Sequence, residues 1–179
     1  MSILTQWWER YAEEAYRVTK PTGHFLAFCN ADSYPAFYPA TFRYWPKLVN
    51  LVWDKDRPGL GRVWRHQHEL IIAARKDAAF EPNDGRLRGD VLRHRATLSR
   101  DRTHPVEKPE AMLQELITAC VPEGGTVLDP FAGSGTTGTA ALKCGRAFLG
   151  SELDSRYHAV ALQRLRAAAN QPRLLEATA

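Results

Sequence analysis

The chain has 179 residues, 44% hydrophobic and 25% charged, the proportions of an ordinary soluble globular protein with its own core. No run approaches the roughly 18 apolar residues of a membrane span, and the start lacks the basic region and apolar core of a signal peptide. The net charge is +4, and six arginines against two acids between residues 86 and 102 account for all of it. Such a run is either a solvated loop or one that contacts phosphates. Cys29, Cys120 and Cys144 are odd in number and widely spaced, which excludes a disulfide framework and points to a reduced, cytoplasmic protein. Neither they nor His66, His68 and His94 show metal-ligand spacing.

Leu4, Trp8, Tyr11, Ala15 and Val18 recur at helical spacing and predict an opening helix that Lys20-Pro21-Thr22-Gly23 stops. His24–Cys29 follows as a short apolar strand, and residues 30–46, with three prolines and many aromatics, read as loop and a short helix. Leu48–Trp53 and Glu69–Ala74 are further strands, flanking the loop from Asp54 to Gly61. Lys76 to Thr103 is polar and arginine-rich without periodicity. Leu113, Leu116, Ile117 and Cys120 then mark a helix beginning near Glu110, and Gly124-Gly125 turns the chain into a strand at Thr126–Leu128. A second helix runs to Cys144 with Gly145 as its cap. Ala147–Gly150 is a last strand and Tyr157–Ala169 a last helix. Strand, Gly loop, helix, strand is the βα unit of a doubly wound α/β domain.

That loop, Gly133-Ser134-Gly135-Thr136-Thr137-Gly138, satisfies G-x-G-x-x-G, a turn that lets backbone N–H groups and a helix N-terminus approach a polar ligand. A plain structural turn is the alternative. An acid, Glu152, lies just past the next strand, where a carboxylate can accept the hydroxyls of a ribose. The strand ends in Asp129-Pro130-Phe131, whose carboxylate would repel a pyrophosphate and suits a ligand with an amino group and a sulfonium. No Gly-Lys-Ser/Thr follows, which argues against a P-loop. These residues predict a cationic nucleoside; a nicotinamide-dependent oxidoreductase is the weaker alternative.

Asp129 to Thr137 resembles motif I of the DNA methyltransferases that modify exocyclic amino groups, adenine N6 or cytosine N4. His104-Pro105-Val106-Glu107-Lys108-Pro109 resembles their motif X. Arg17–Gly23 resembles the segment after the catalytic loop, with Thr22 where Gly is usual, and Val52-Trp53-Asp54-Lys55 with Arg65, His68 and Glu69 resembles the middle motifs. The order is that of the permuted β-type enzymes, and the match covers about residues 7–165. The resemblance implies a Rossmann-like fold and S-adenosylmethionine as cofactor. Phe131, Gly133 and Gly135, with Pro130 beside them, would line the methionine side of the pocket and Asp129 would lie near its amino group. Lys108 and Thr136 would approach its carboxylate, and Glu152 would hold the ribose. It also implies double-stranded DNA as partner, with Arg86, Arg88, Arg93, Arg95 and Arg100 as contacts, and a bacterial or phage-encoded source. The expected organisation is one methyltransferase domain over 1–179, divided into target-base motifs (1–76), a short basic recognition loop (77–103) and a cofactor half (104–169).

Amino-group methylation requires the base to be flipped out, stacked on an aromatic ring and its amino hydrogens accepted on oxygen. The family uses Asp, Asn or Ser, two prolines and an aromatic for this. The chain contains no Pro-Pro dipeptide, so no catalytic residue is identified. The expectation is a chain incomplete on its N-terminal side: truncated, split with a second chain supplying the loop, or a remnant that binds cofactor and DNA. The central sheet would lack the strand between that of motif I and that of residues 24–29, leaving apolar edges open.

Overall fold

In a computed structural model, residues 2–59, 62–76, 82–96 and 107–170 are described. The chain divides into two compact units, Met1–Arg95 and Ala96–Ala179.

The first unit starts with helix α1 (Ile3–Val18), whose first turn is capped by the Ser2 hydroxyl accepting the Thr5 N–H at 3.1 Å. The helix stops at Thr19, in extended conformation ahead of Lys20-Pro21. Strand β1 (His24–Cys29), helix α2 (Tyr34–Phe42), β2 (Lys47–Asp54), β3 (His68–Arg75) and β4 (Val91–Arg93) complete it. The sheet order is β1-β3-β2-β4, with β3 antiparallel to both neighbours and β4 parallel to β2. Strand β4 is absent from the sequence reading. It has three residues, and its one buried side chain, Leu92, lies in an arginine-rich segment without visible period.

Along β1, Phe25, Ala27 and Cys29 alternate into the core, where they meet Trp8, Phe37, Trp45, Ile72 and Ala74. Trp8 stacks on Phe37 with ring centroids 3.9 Å apart, and both indoles in this core find acceptors, as buried Trp N–H groups must. Trp45 Nε1 donates to the Ala12 carbonyl at 3.1 Å. Trp8 Nε1 donates to both the Phe37 carbonyl (3.1 Å) and the Thr41 hydroxyl (3.0 Å), and that buried hydroxyl donates in turn to Phe37. Because Trp8 keeps the Phe37 carbonyl, Thr41→Val should cost only about 1 kcal/mol, read as a lower urea midpoint with an unchanged slope.

The second unit holds helix α3 (Glu110–Cys120), strand β5 (Thr126–Asp129), helix α4 (Thr136–Lys143), strand β6 (Ala147–Gly150) and helix α5 (Ser155–Ala169). Met112, Leu113, Leu116 and Ile117 form the buried stripe of α3. Strands β5 and β6 pair in parallel, Thr126 to Asp129 against Ala147 to Gly150, as a right-handed βαβ crossover through α4 allows. Among the described residues β5 pairs only with β6, and β1 is an edge of its own sheet. One face of the β5–β6 pair turns Phe148 onto α4, while the cross-strand neighbours Leu128 and Leu149 stay 56% and 62% exposed.

Candidate cofactor site and basic surface

The Gly loop occupies the crossover from the carboxyl end of β5 to α4, where open α/β sheets bind ligands. Each glycine of the motif has a distinct reason. Gly133 and Gly135 have φ of +53° and +82°, the left-handed region that side chains disfavour. A Cβ on Gly135 would stand 3.0 Å from Cα and Cβ of Ala161, so the loop lies directly on α5. A Cβ on Gly138 would stand 2.7 Å from the Phe148 ring and 2.5 Å from Leu165, so α4 lies directly on β6. Gly135 is also the N-cap of α4 and supplies no side-chain acceptor, which leaves the first-turn N–H groups to water or an anionic ligand group.

Two acids shape the loop from below. Asp129 Oδ1 accepts the Phe131 N–H at 3.0 Å, an Asx turn that fixes the exit from β5. Glu152, past the end of β6, accepts the Gly133 N–H at 2.8 Å and the Asp154 N–H at 2.9 Å. The residue expected to hold a ribose thus ties the loop to the segment that follows β6. Asp154 caps α5 by accepting the Arg156 N–H, and the Arg156 side chain bound to it holds its carboxyl at about 2. Phe131 is 59% exposed beside this cradle.

The group behind the loop has no signature in the sequence. Arg164, on α5, donates from Nη1 to Glu107 Oε1 at 2.9 Å and to Ser134 Oγ at 3.0 Å. Thr136 Oγ1 donates to the same Glu107 oxygen at 3.2 Å. The segment before α3, the Gly loop and α5 are therefore joined at one carboxylate. Thr136, expected at a ligand carboxylate, has its hydroxyl on Glu107 instead; Lys108 lies next to Glu107 at the entry to α3. Glu107 is only 9% exposed at its side chain, so removing its cation strands a charge. Arg164→Ala should cost about 2 kcal/mol, with Arg164→Lys intermediate, in equilibrium denaturation.

The arginines expected to contact DNA lie in the first unit as far as Arg95. Arg86, Arg88, Arg93 and Arg95 are exposed. Arg88 forms an ion pair with Asp84 and donates to the Arg86 carbonyl; its guanidinium pulls the Asp84 carboxyl well below the usual aspartate range. A phosphate would compete with Asp84 for Arg88. Arg100, with His104, Pro105 and Val106, lies outside the described residues. No group of three or more metal-binding side chains occurs among the described residues, and no helix there is long and apolar enough to cross a membrane.

Three comparisons bear on this geometry. The type II methyltransferase M2.DpnII of Streptococcus pneumoniae is 36% identical over 137 residues, covering 67% of this chain and 51% of that protein. The chain spans about half the length of the curated relatives it matches first. M1.HpyAVI superposes with a TM-score of 0.70 at 27% identity, over 92% of this chain and 80% of that one. The cytosine-N4-specific PvuII DNA methyltransferase superposes at 0.76 with 16% identity, over 89% and 70%, a likeness of fold alone. The Rossmann-like methyltransferase fold expected from the sequence is borne out by these neighbours. A family model described as DNA methylase matches residues 3–163, nearly the whole chain. The chain belongs to the N6/N4 DNA methylase family.

Proposed function

We propose that the protein transfers a methyl group from S-adenosylmethionine to an exocyclic amino group of DNA, and that the second unit holds the cofactor. The observation that carries this reading is the cradle itself. A glycine-capped helix terminus, the Asp129 and Glu152 carboxylates and an exposed Phe131 surround one loop. This donor set suits a zwitterionic, sulfonium-bearing nucleoside better than a diphosphate. Solved neighbours include M1.HpyAVI as a complex with that cofactor. When bound, it supplies the methyl group; everything else here is positioning.

In this reading the α4 N-terminus and Lys108 receive the methionine carboxylate, and Asp129 faces the amino group. Phe131 and Pro130 wall the methionine side, and Gly133 and Gly135 leave room for it. Glu152 has a second role at the ribose while keeping Gly133 in place. Arg86, Arg93, Arg95 and Arg100 bind backbone phosphates, with Arg88 joining them when it leaves Asp84.

No residue of the chain is assigned to accept the amino hydrogens. These 179 residues hold no Asp, Asn or Ser-Pro-Pro-aromatic tetrapeptide, and a second reading is that they bind cofactor and DNA while residues outside them, on the same or another polypeptide, complete the acceptor site. Transfer of a labelled methyl group to mixed-sequence duplex DNA separates the two. Robust turnover by the 179-residue chain alone would exclude the second reading. Cofactor and DNA binding without turnover would favour it.

A further inference from the structure

Beyond the sheet, β2 and β3 run into a connecting loop whose two arms form a short irregular ribbon, held by two hydrogen bonds between them. Their ladder ends at Asp54 and His68, after which the Lys55 N–H donates to the Gln67 carbonyl (2.9 Å) and the Gly59 N–H to the His66 carbonyl (3.0 Å). Asp54 braces this stalk, accepting from the Gln67 side-chain amide at 2.9 Å and the Asp56 N–H at 3.0 Å. Chiefly through Gln67, and with Arg93 contributing, its carboxyl is held below the ordinary aspartate value. At position 59 a Cβ would meet the His66 carbonyl oxygen at 2.8 Å, so the two arms lie close together there.

The sequence from Arg57 to Gln67 holds three arginines and no acid. Val63 and Trp64 are 83% and 89% exposed, apolar surface that folding of the unit does not use. The parallel pairing of β4 with β2 sets Arg93 opposite Asp54, so Arg93 and Arg95 stand at the ribbon's end of the sheet. Arg57, Arg62 and Arg65 thus share this segment with an exposed indole, and Arg93 lies opposite Asp54 at its base. A polyanion with flat apolar faces complements that surface in both charge and shape.

We propose that the ribbon is a DNA-contacting element in its own right, with Arg57, Arg62, Arg65, Arg93 and Arg95 on backbone phosphates and Trp64 packed against the bases. This rests on the reading of DNA as substrate, and adds Arg57, Arg62, Arg65 and Trp64 to the contacts of the basic 77–103 segment. An exposed aromatic wedge helps an enzyme that must unstack its target.

The test is a fluorescence-anisotropy titration of a labelled mixed-sequence duplex with the full chain at about 100 mM salt. Trp64→Ala should bind about tenfold more weakly, while Trp64→Phe, which keeps a stacking face, stays within about threefold. Arg62→Gln should lower the slope of log K against log salt by about 1. Both side chains lie on the surface, so thermal unfolding of the three variants should match the parent. Trp64→Ala binding within about twofold of the parent would overturn the ribbon's role and leave the DNA reading standing. A parent chain that binds no duplex at all would overturn both. A defect on phosphatidylserine vesicles with none on DNA would assign the ribbon to a lipid surface and overturn the proposal.

Discussion

Replacing Asp129 by alanine should weaken S-adenosylmethionine binding about a hundredfold. The carboxylate has two roles in the proposed pocket: it accepts the Phe131 N–H at 3.0 Å, setting the direction of the loop, and it faces the ligand's amino group. A hydrogen bond to a charged partner contributes about 1.5–3 kcal/mol, and each 1.4 kcal/mol is tenfold in affinity. Asparagine separates the two roles, since its carbonyl can still accept from Phe131 while the charge is gone. Asp129→Asn should therefore retain the parent's unfolding midpoint yet lose most of the affinity, as measured by calorimetry. Equal affinity for parent and Asp129→Ala would remove Asp129 from the pocket.

Gly135→Ala should destabilise the second unit by about 3 kcal/mol. The backbone there has φ +82°, a left-handed conformation costing a side-chain-bearing residue about 1–2 kcal/mol. The added methyl would also stand 3.0 Å from two atoms of Ala161, a backbone-anchored contact that cannot swing away, and overpacking of this kind costs about 1–3 kcal/mol. Gly124 is the internal control, because its φ is +72° but a Cβ there meets nothing within 4 Å. Gly124→Ala should cost the conformational part alone, about 1 kcal/mol. The difference between the two urea midpoints measures how closely the Gly loop sits on α5. Equal costs would mean that α5 does not constrain the loop.

Much of this architecture is legible in the sequence, because local rules and tertiary packing agree over most elements. Leu4, Trp8, Tyr11 and Ala15 announce α1, and the strand–loop–helix order around Asp129 to Thr137 announces the crossover; the observed bounds differ by only a residue or two. Strand β4 was not legible, since a three-residue strand with one buried leucine has no period to detect. The Glu107–Arg164–Ser134 tie was not legible either. Its members lie up to 57 residues apart, and an arginine on a helix looks the same in sequence whether it faces water or bridges two segments. The second role of Glu152 escaped for a related reason. Its spacing after β6 suggests a ribose ligand, whereas its bond from the Gly133 N–H depends on how the folded loop turns back over β6. The basic surface was legible only as a run of charge. That β2 and β4 pair in parallel, setting Arg93 opposite Asp54 where β2 ends, is a property of the sheet.

The central claim is that the loop following β5 is a pocket for a sulfonium nucleoside. It is tested most directly by titrating the chain with S-adenosylmethionine and, separately, with NAD in a calorimeter. The account predicts saturable one-to-one binding of S-adenosylmethionine, lost in Asp129→Ala, and no measurable heat with NAD. Preferential binding of NAD, or no binding of S-adenosylmethionine by the folded chain, would contradict it.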